Sequence, residues 1–242
     1  MEDMLLKNRT KEILEAGIRQ YIETGLPITS ERLFEEYDFG IKPAMIRCEL
    51  NALDEEGYLE QIHPSGGRRP THKAYKIFVE KLLSENEYRS RRAKQAFGAL
   101  LSLFERERRA FVDHAADVFD AFIAGYEPKQ DSFYGSGLSD LITRADIDSK
   151  DEMLEIIEDF ENLSSRIEKE KEWWERESTW PQVFIGGSPL TRSRNLSVIA
   201  ERFDDGNEKF FFVMLGPTRM DYRKSIRFFK TLEQSLFDKK EK

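Results

Sequence analysis

With a single cysteine, Cys48, in 242 residues, the chain can form neither an internal disulfide nor a multi-cysteine zinc site. Histidine is nearly as scarce. His63, His72 and His114 are the whole set, and no His-x-x-x-His pair, Gly-x-Ser-x-Gly elbow or Walker-type loop accompanies them. Gly186-Gly187-Ser188 is followed by Pro189 with no lysine nearby, so it reads as a turn rather than a phosphate cradle. No apolar run approaches the roughly 20 residues that span a bilayer. Met1-Glu2-Asp3 lacks the charged-then-apolar layout of a signal peptide. A cytoplasmic protein is expected, with no enzymatic activity, cofactor, metal or membrane association.

What is present is unevenly placed. The chain is acidic, with a formal net charge of −8 and a pI near 5.2, yet no carboxylate occurs between Gln61 and Val79. Four Lys/Arg and two histidines lie there instead. The segment has the form of a hairpin. Tyr58 to His63 reads as a strand, Pro64-Ser65-Gly66-Gly67 as a tight turn, and Arg68 to Lys76 as the return. A basic hairpin on an acidic chain suits a wing whose cations meet phosphates or a minor groove.

Upstream lies a helical set. Leu5 to Thr24 carries Ile13, Leu14, Gly17, Ile18, Tyr21 and Ile22 on one side. Thr29 or Ser30 caps a short helix, Glu31 to Tyr37, with Leu33 and Phe34 inward. The next helix starts at Pro43, which suits the first turn, and stops at Gly57. Ile46, Leu50 and Leu53 form its apolar face. Ala44, Arg47, Cys48, Asn51 and Glu55 lie opposite, where a recognition helix meets base edges. Cys48 itself reads as a buried or half-buried thiol. Helix, helix, helix and hairpin in this order make a winged helix-turn-helix.

Residues along both ends of the chain resemble the HrcA family of heat-inducible transcription repressors. The shared pattern runs Tyr21-Ile22-Glu23-Thr24-Gly25-Leu26-Pro27, Pro43-Ala44, Ile46-Arg47, and Leu53 through Gly57-Tyr58-Leu59. In the hairpin it continues with His63, Ser65, Gly67-Arg68, Pro70-Thr71, Lys73 and Tyr75. Near the C-terminus, Phe184-Ile185-Gly186-Gly187, Leu196-Ser197 and Gly216-Pro217-Thr218-Arg219-Met220-Asp221-Tyr222 match closely. Departures fall at Lys42, Met45, Cys48 and Glu49, where the family more usually has Ser, Thr, Asn and Asp. The resemblance implies a repressor that binds an inverted repeat of double-stranded DNA upstream of chaperone genes as a homodimer, with a GroEL-type chaperonin as partner. The DNA-contacting set expected is Thr29, Ser30, Lys42, Pro43, Ala44, Met45, Arg47, Cys48, Asn51, His63, Ser65, Gly67, Arg68, Arg69, Thr71 and Lys73. A protein–protein adaptor that no longer reads DNA is the alternative, because Met45 and Cys48 replace polar positions.

The remainder sets the fold class, α+β and mostly α. Lys76 to Tyr126 contains no proline, and its aromatic stripe reads as helix. Phe97, Leu100, Phe104, Phe111, Val118 and Phe122 are the expected dimerisation surface, with Met153 to Trp174 as a second apolar stripe. Strands are expected at 182–185, 196–200 and 210–215, followed by a final helix. This gives a small C-terminal antiparallel sheet, a reduced GAF-like region without a ligand cup. Three regions follow: a winged helix at 1–78, a helical region at 79–180 and the sheet segment at 181–242.

Overall fold

The computed structural model describes residues 8–63, 66–85, 91–145, 147, 149–170, 181–204 and 209–240. Ser65, Trp174 and residues 205–207 of the expected turn lie outside them. The chain forms two compact units, Met1–Ser84 and Glu85–Lys242.

In the first unit, α1 (Asn8–Thr24), α2 (Ser30–Glu36) and α3 (Pro43–Glu55) precede β1 (Leu59–Gln61), β2 (Arg68–Pro70) and α4 (His72–Ser84). The 3.6-residue spacing places Ile13 and Ile18 of α1 and Ile46, Leu50 and Leu53 of α3 in one core with Ile28, Leu33 and Tyr75, each at most 2% exposed. Thr29 caps α2 by accepting from the Arg32 N–H at 3.3 Å. Two local expectations fail. Phe34 faces outward at 49% exposure, because on so short a helix only Leu33 meets the core. The hairpin's return strand ends at Pro70. Thr71 then accepts the Ala74 N–H and starts α4, so His72 to Lys76 are helical.

In the second unit, α5 (Arg91–Ala96), α6 (Gly98–Arg106) and α7 (Arg108–Phe119) lead into β3 (Phe122–Glu127) and β4 (Ser132–Ser136). Then come α8 (Leu138–Arg144), α9 (Lys150–Lys169), β5 (Gln182–Ile185), β6 (Leu196–Asp204), β7 (Lys209–Pro217) and α10 (Tyr222–Lys240). The strands make one antiparallel sheet in the order β4-β3-β7-β6-β5. The middle is therefore not all helix. Two strands from the expected helical region complete the sheet that begins again at 182. Asp120 adopts a left-handed conformation, φ 50°, and ends α7 two residues before β3.

Both sheet faces are covered. Phe210 and Phe212 of β7 meet Phe104, Phe111, Phe228 and Phe229 on one side, with ring centroids 4.8–6.5 Å apart. Phe211, Val213 and Leu215 point the other way, into a cluster with Leu141, Ile156, Leu163 and Ile167 of α8 and α9. Phe97, Leu100, Phe104, Phe111 and Phe122, at 7%, 3%, 1%, 0% and 7% exposure, are thus spent inside the chain's own core, and Val118 is half-buried. The stripe is therefore not free as a dimer surface: Phe104 and Phe111 pack on β7, a strand expected from the sequence, while Phe122 lies in β3, which was read as helix. A cleft of about 470 Å³ opens on the outer side of this helical layer, lined by Phe97, Leu100, His114, Val118, Arg223 and Arg227.

The family-like runs near the C-terminus lock this unit. The Tyr222 hydroxyl is buried, 2.6 Å from Ser197 Oγ, and donates to the Thr218 carbonyl at 2.7 Å. Asp159 of α9, 1% exposed, accepts the backbone N–H groups of Arg192 and Ser193 at 2.9 and 2.8 Å and a contact from Arg166 at 2.5 Å. Ser188 Oγ accepts the N–H groups of Leu190 and Thr191, so the Gly186–Ser193 segment closes on itself as a turn.

Candidate nucleic-acid interface

α3 is positioned by its buried side, and everything opposite is left to solvent. Lys42, Ala44, Met45, Arg47, Cys48 and Asn51 are exposed, Met45 at 50%. Cys48 is an exposed free thiol, not the half-buried one expected, since it falls on the far side of the helix from Ile46, Leu50 and Leu53. Pro43 occupies the first turn and is half-buried. Ser30 is 3% exposed, with its hydroxyl 3.1 Å from Glu31, so it supports α2 and does not face outward.

Arg47 does not project alone. Its Nη2 lies 2.6 Å from Glu31 Oε1 across the turn between α2 and α3. The backbone N–H of Glu31, the Arg47 guanidinium and the Ser30 hydroxyl hold the Glu31 carboxyl below its ordinary range. Glu31 was not singled out from the sequence, where it is simply the first acidic residue of a short helix.

The hairpin is sealed to the helices on three sides. Ile28, just before α2, bridges to Arg68: its N–H donates to the Arg68 carbonyl at 2.8 Å, and the Arg68 N–H returns to the Ile28 carbonyl at 3.0 Å. Gly67 makes this approach possible, because a Cβ there would lie 2.6 Å from Pro27 Cβ and 2.7 Å from the Ile28 carbonyl oxygen. The Arg68 side chain turns back to α3, donating through Nε to Asp54 at 3.2 Å and through Nη2 to Asn51 Oδ1, and is only 13% exposed.

The remaining wing cations also have intramolecular partners. Arg69 pairs with Glu60, its cross-strand neighbour, at 2.6 Å. Lys73 donates to the Glu56 carbonyl at 3.0 Å, with its ammonium 4.1 Å from the centre of the Tyr58 ring. Thr71 donates to the Gly57 carbonyl at 2.7 Å. Gly67, Arg68 and Thr71, all expected to contact DNA, are thereby tied into the fold, while His63 stands exposed two residues beyond β1.

A family model for the HrcA protein C terminal domain matches residues 77–226, more than half of the chain. The chain belongs to the HrcA family. Curated relatives, each named heat-inducible transcription repressor HrcA, include that of Clostridium tetani, 42% identical over 81 residues. That match covers 34% of this chain and 23% of the relative. The protein of Anabaena sp. (strain L31) is 41% identical over 91 residues, covering 38% and 26%, and that of Beutenbergia cavernae is 37% identical over 115 residues, covering 46% and 28%. The matched stretches therefore span about a quarter of the length of these HrcA relatives. Across nearly the whole chain, the fold is similar to a crystal structure of a hypothetical protein at 2.2 Å resolution, with a TM-score of 0.71 at 15% identity. That alignment covers 96% of this chain and 98% of the other. Among the described residues no helix is long and apolar enough to cross a membrane.

Proposed function

We propose that the chain is a sequence-specific transcriptional repressor that binds an inverted repeat of double-stranded DNA as a homodimer and controls heat-shock and chaperone genes. The observation that carries this reading is the outward face of α3, where Lys42, Ala44, Met45, Arg47, Cys48 and Asn51 stand exposed on a helix whose opposite side is fully packed. Small and hydrogen-bonding side chains near the start of such a helix are the types that enter a major groove. The names of the curated relatives support the same function, and a GroEL-type chaperonin is proposed as a partner on that family basis.

The wing's part in this reading is narrower than its composition implies. Arg68 serves the fold, leaving Arg69, Lys73 and His63 as the side chains able to turn towards phosphates, the first two at the cost of contacts they now make. Subunit pairing must use a surface other than the Phe97–Phe122 stripe. Leu154 and Ile157 of α9, at 46% and 39% exposure, and Phe237 of α10, at 60%, are apolar side chains free to contribute.

A second reading, a protein–protein adaptor, draws on one specific observation: wing cations that would meet phosphate are engaged with Asp54, Glu60 and the Glu56 carbonyl. Selection of bound duplexes from a random pool separates the two. An enriched palindrome supports the repressor, and a pool that stays random after repeated rounds refutes it.

A further inference from the structure

The outward face of α3 is not uniformly polar. Met45 is 50% exposed, the free thiol of Cys48 is exposed, and so is Ala44. Positions three and four apart are neighbours on a helix surface, so Cys48 lies beside both Met45 and Ala44. One exposed apolar side chain is ordinary on any protein surface. Here three adjoin on the first two turns of the helix, the end that meets base edges in a major groove. Their outward direction is fixed, because Ile46 and Leu50, at 0% and 1% exposure, anchor the opposite side of the same turns. Hydrogen-bonding side chains ring the patch. Lys42 precedes it, and Arg47 and Asn51 stand exposed beside it, the first 2.6 Å from Glu31 and the second accepting from Arg68.

A major groove offers the matching chemistry. Its hydrogen-bonding base edges are interrupted by one apolar group, the C5 methyl of thymine, which apolar side chains recognise by contact. We propose, on the basis of the DNA-binding reading above, that Met45 and Cys48 select thymine by enclosing its methyl. Met45 is flexible and follows the position of the methyl, while Cys48 acts as a small hydrophobe against it. Ala44 is short enough to let the groove floor come close. On this face, apolar contact then supplies specificity alongside the hydrogen bonds of the polar ring.

The test uses the full chain and the duplex enriched from a random pool. Each thymine is replaced in turn by uracil, which deletes the C5 methyl and leaves the pairing edge intact. For the wild type, at least one such replacement in each half-site should weaken binding about fourfold, the worth of one buried methyl. That penalty should vanish in Met45→Ser or in Cys48→Ser, single exposed changes that leave the buried side of α3 intact. No enrichment by the wild type would sink the DNA-binding reading itself. An enriched operator in which no uracil replacement weakens binding would overturn the methyl assignment while leaving that reading intact. So would a penalty that survives at full size in both variants, since the methyl would then act through the shape of the duplex or another side chain.

Discussion

Replacing Gly67 by alanine tests how the wing is held. The added methyl would meet Pro27 Cβ at 2.6 Å and the Ile28 carbonyl oxygen at 2.7 Å, against ordinary contacts of 3.4–4 Å. Relief requires β2 to withdraw from Ile28 by most of an ångström. The two bridging hydrogen bonds, at 2.8 and 3.0 Å, would then pass out of range. Their net loss is about 0.5–1.5 kcal/mol each, so opening should become easier by about 1–3 kcal/mol. If the chain instead keeps the bridge and absorbs the overlap as strain, the cost is again about 1–3 kcal/mol. Because 1.4 kcal/mol is tenfold in an equilibrium, the Ile28 and Arg68 amides should exchange with solvent about fivefold to a hundredfold faster. Amide exchange followed by NMR on the full chain measures this directly. Gly66→Ala serves as the control, since its methyl would come no closer than 3.3 Å to His63. Unchanged protection at both amides in Gly67→Ala would show that the close approach does not hold the wing.

Three further outcomes are expected. Arg47→Ala should weaken operator binding by about 1–3 kcal/mol and scrambled duplex far less, while Glu31→Gln should tighten binding to both by removing a competing carboxylate; titrations against the two duplexes check this. Phe104→Ala should destabilise the second unit by about 3–5 kcal/mol, and Phe104→Glu should unfold it rather than release folded monomers. Urea denaturation with sedimentation distinguishes these, and a folded monomeric Phe104→Glu would contradict the internal packing. Glu201, fully buried on β6, is held well above the ordinary carboxylate range by burial and then by Glu233, against the pull of Lys230. A raised folded pKa makes the folded chain the stronger proton binder, so this group's contribution is favourable at low pH and is lost as pH climbs through and above the usual carboxylate range. Glu201→Gln should therefore raise the denaturation midpoint at neutral pH and flatten its decline with rising pH; an unchanged pH profile would refute the assignment.

The first unit was legible because its signals are local. Pro43, Gly57 and the Ile46-Leu50-Leu53 spacing bound α3 unaided, and Thr29 announces α2. Phe210 to Leu215 was legible as a strand buried on both faces for the same reason. β3 was not. Phe111, Ala115, Val118 and Phe122 continue a helical period straight into it, and the break falls at Asp120, in a left-handed conformation more usual for glycine. Gly125 was the available clue: a Cβ there would sit 2.6 Å from the Tyr134 ring and 2.9 Å from Phe210, a close approach that belongs to a sheet and not to a helix. At the interface the residue types were legible and their commitments were not. That Arg68 turns inward to Asp54 and Asn51 depends on Ile28 meeting β2, a pairing forty positions apart (68 − 28) that no window along the sequence contains.

The link from Arg68 to Asn51 and Asp54 also constrains how such a protein can change its target. A substitution at position 51 or 54 alters what holds the wing, and one at 68 alters what α3 presents. Neither element can be exchanged on its own, by recombination or by grafting, without disturbing the other. If the chain reads DNA as proposed, drift to a new operator proceeds through paired changes across helix and hairpin, and chimaeras joined between residues 55 and 67 should lose more than the sum of their parts.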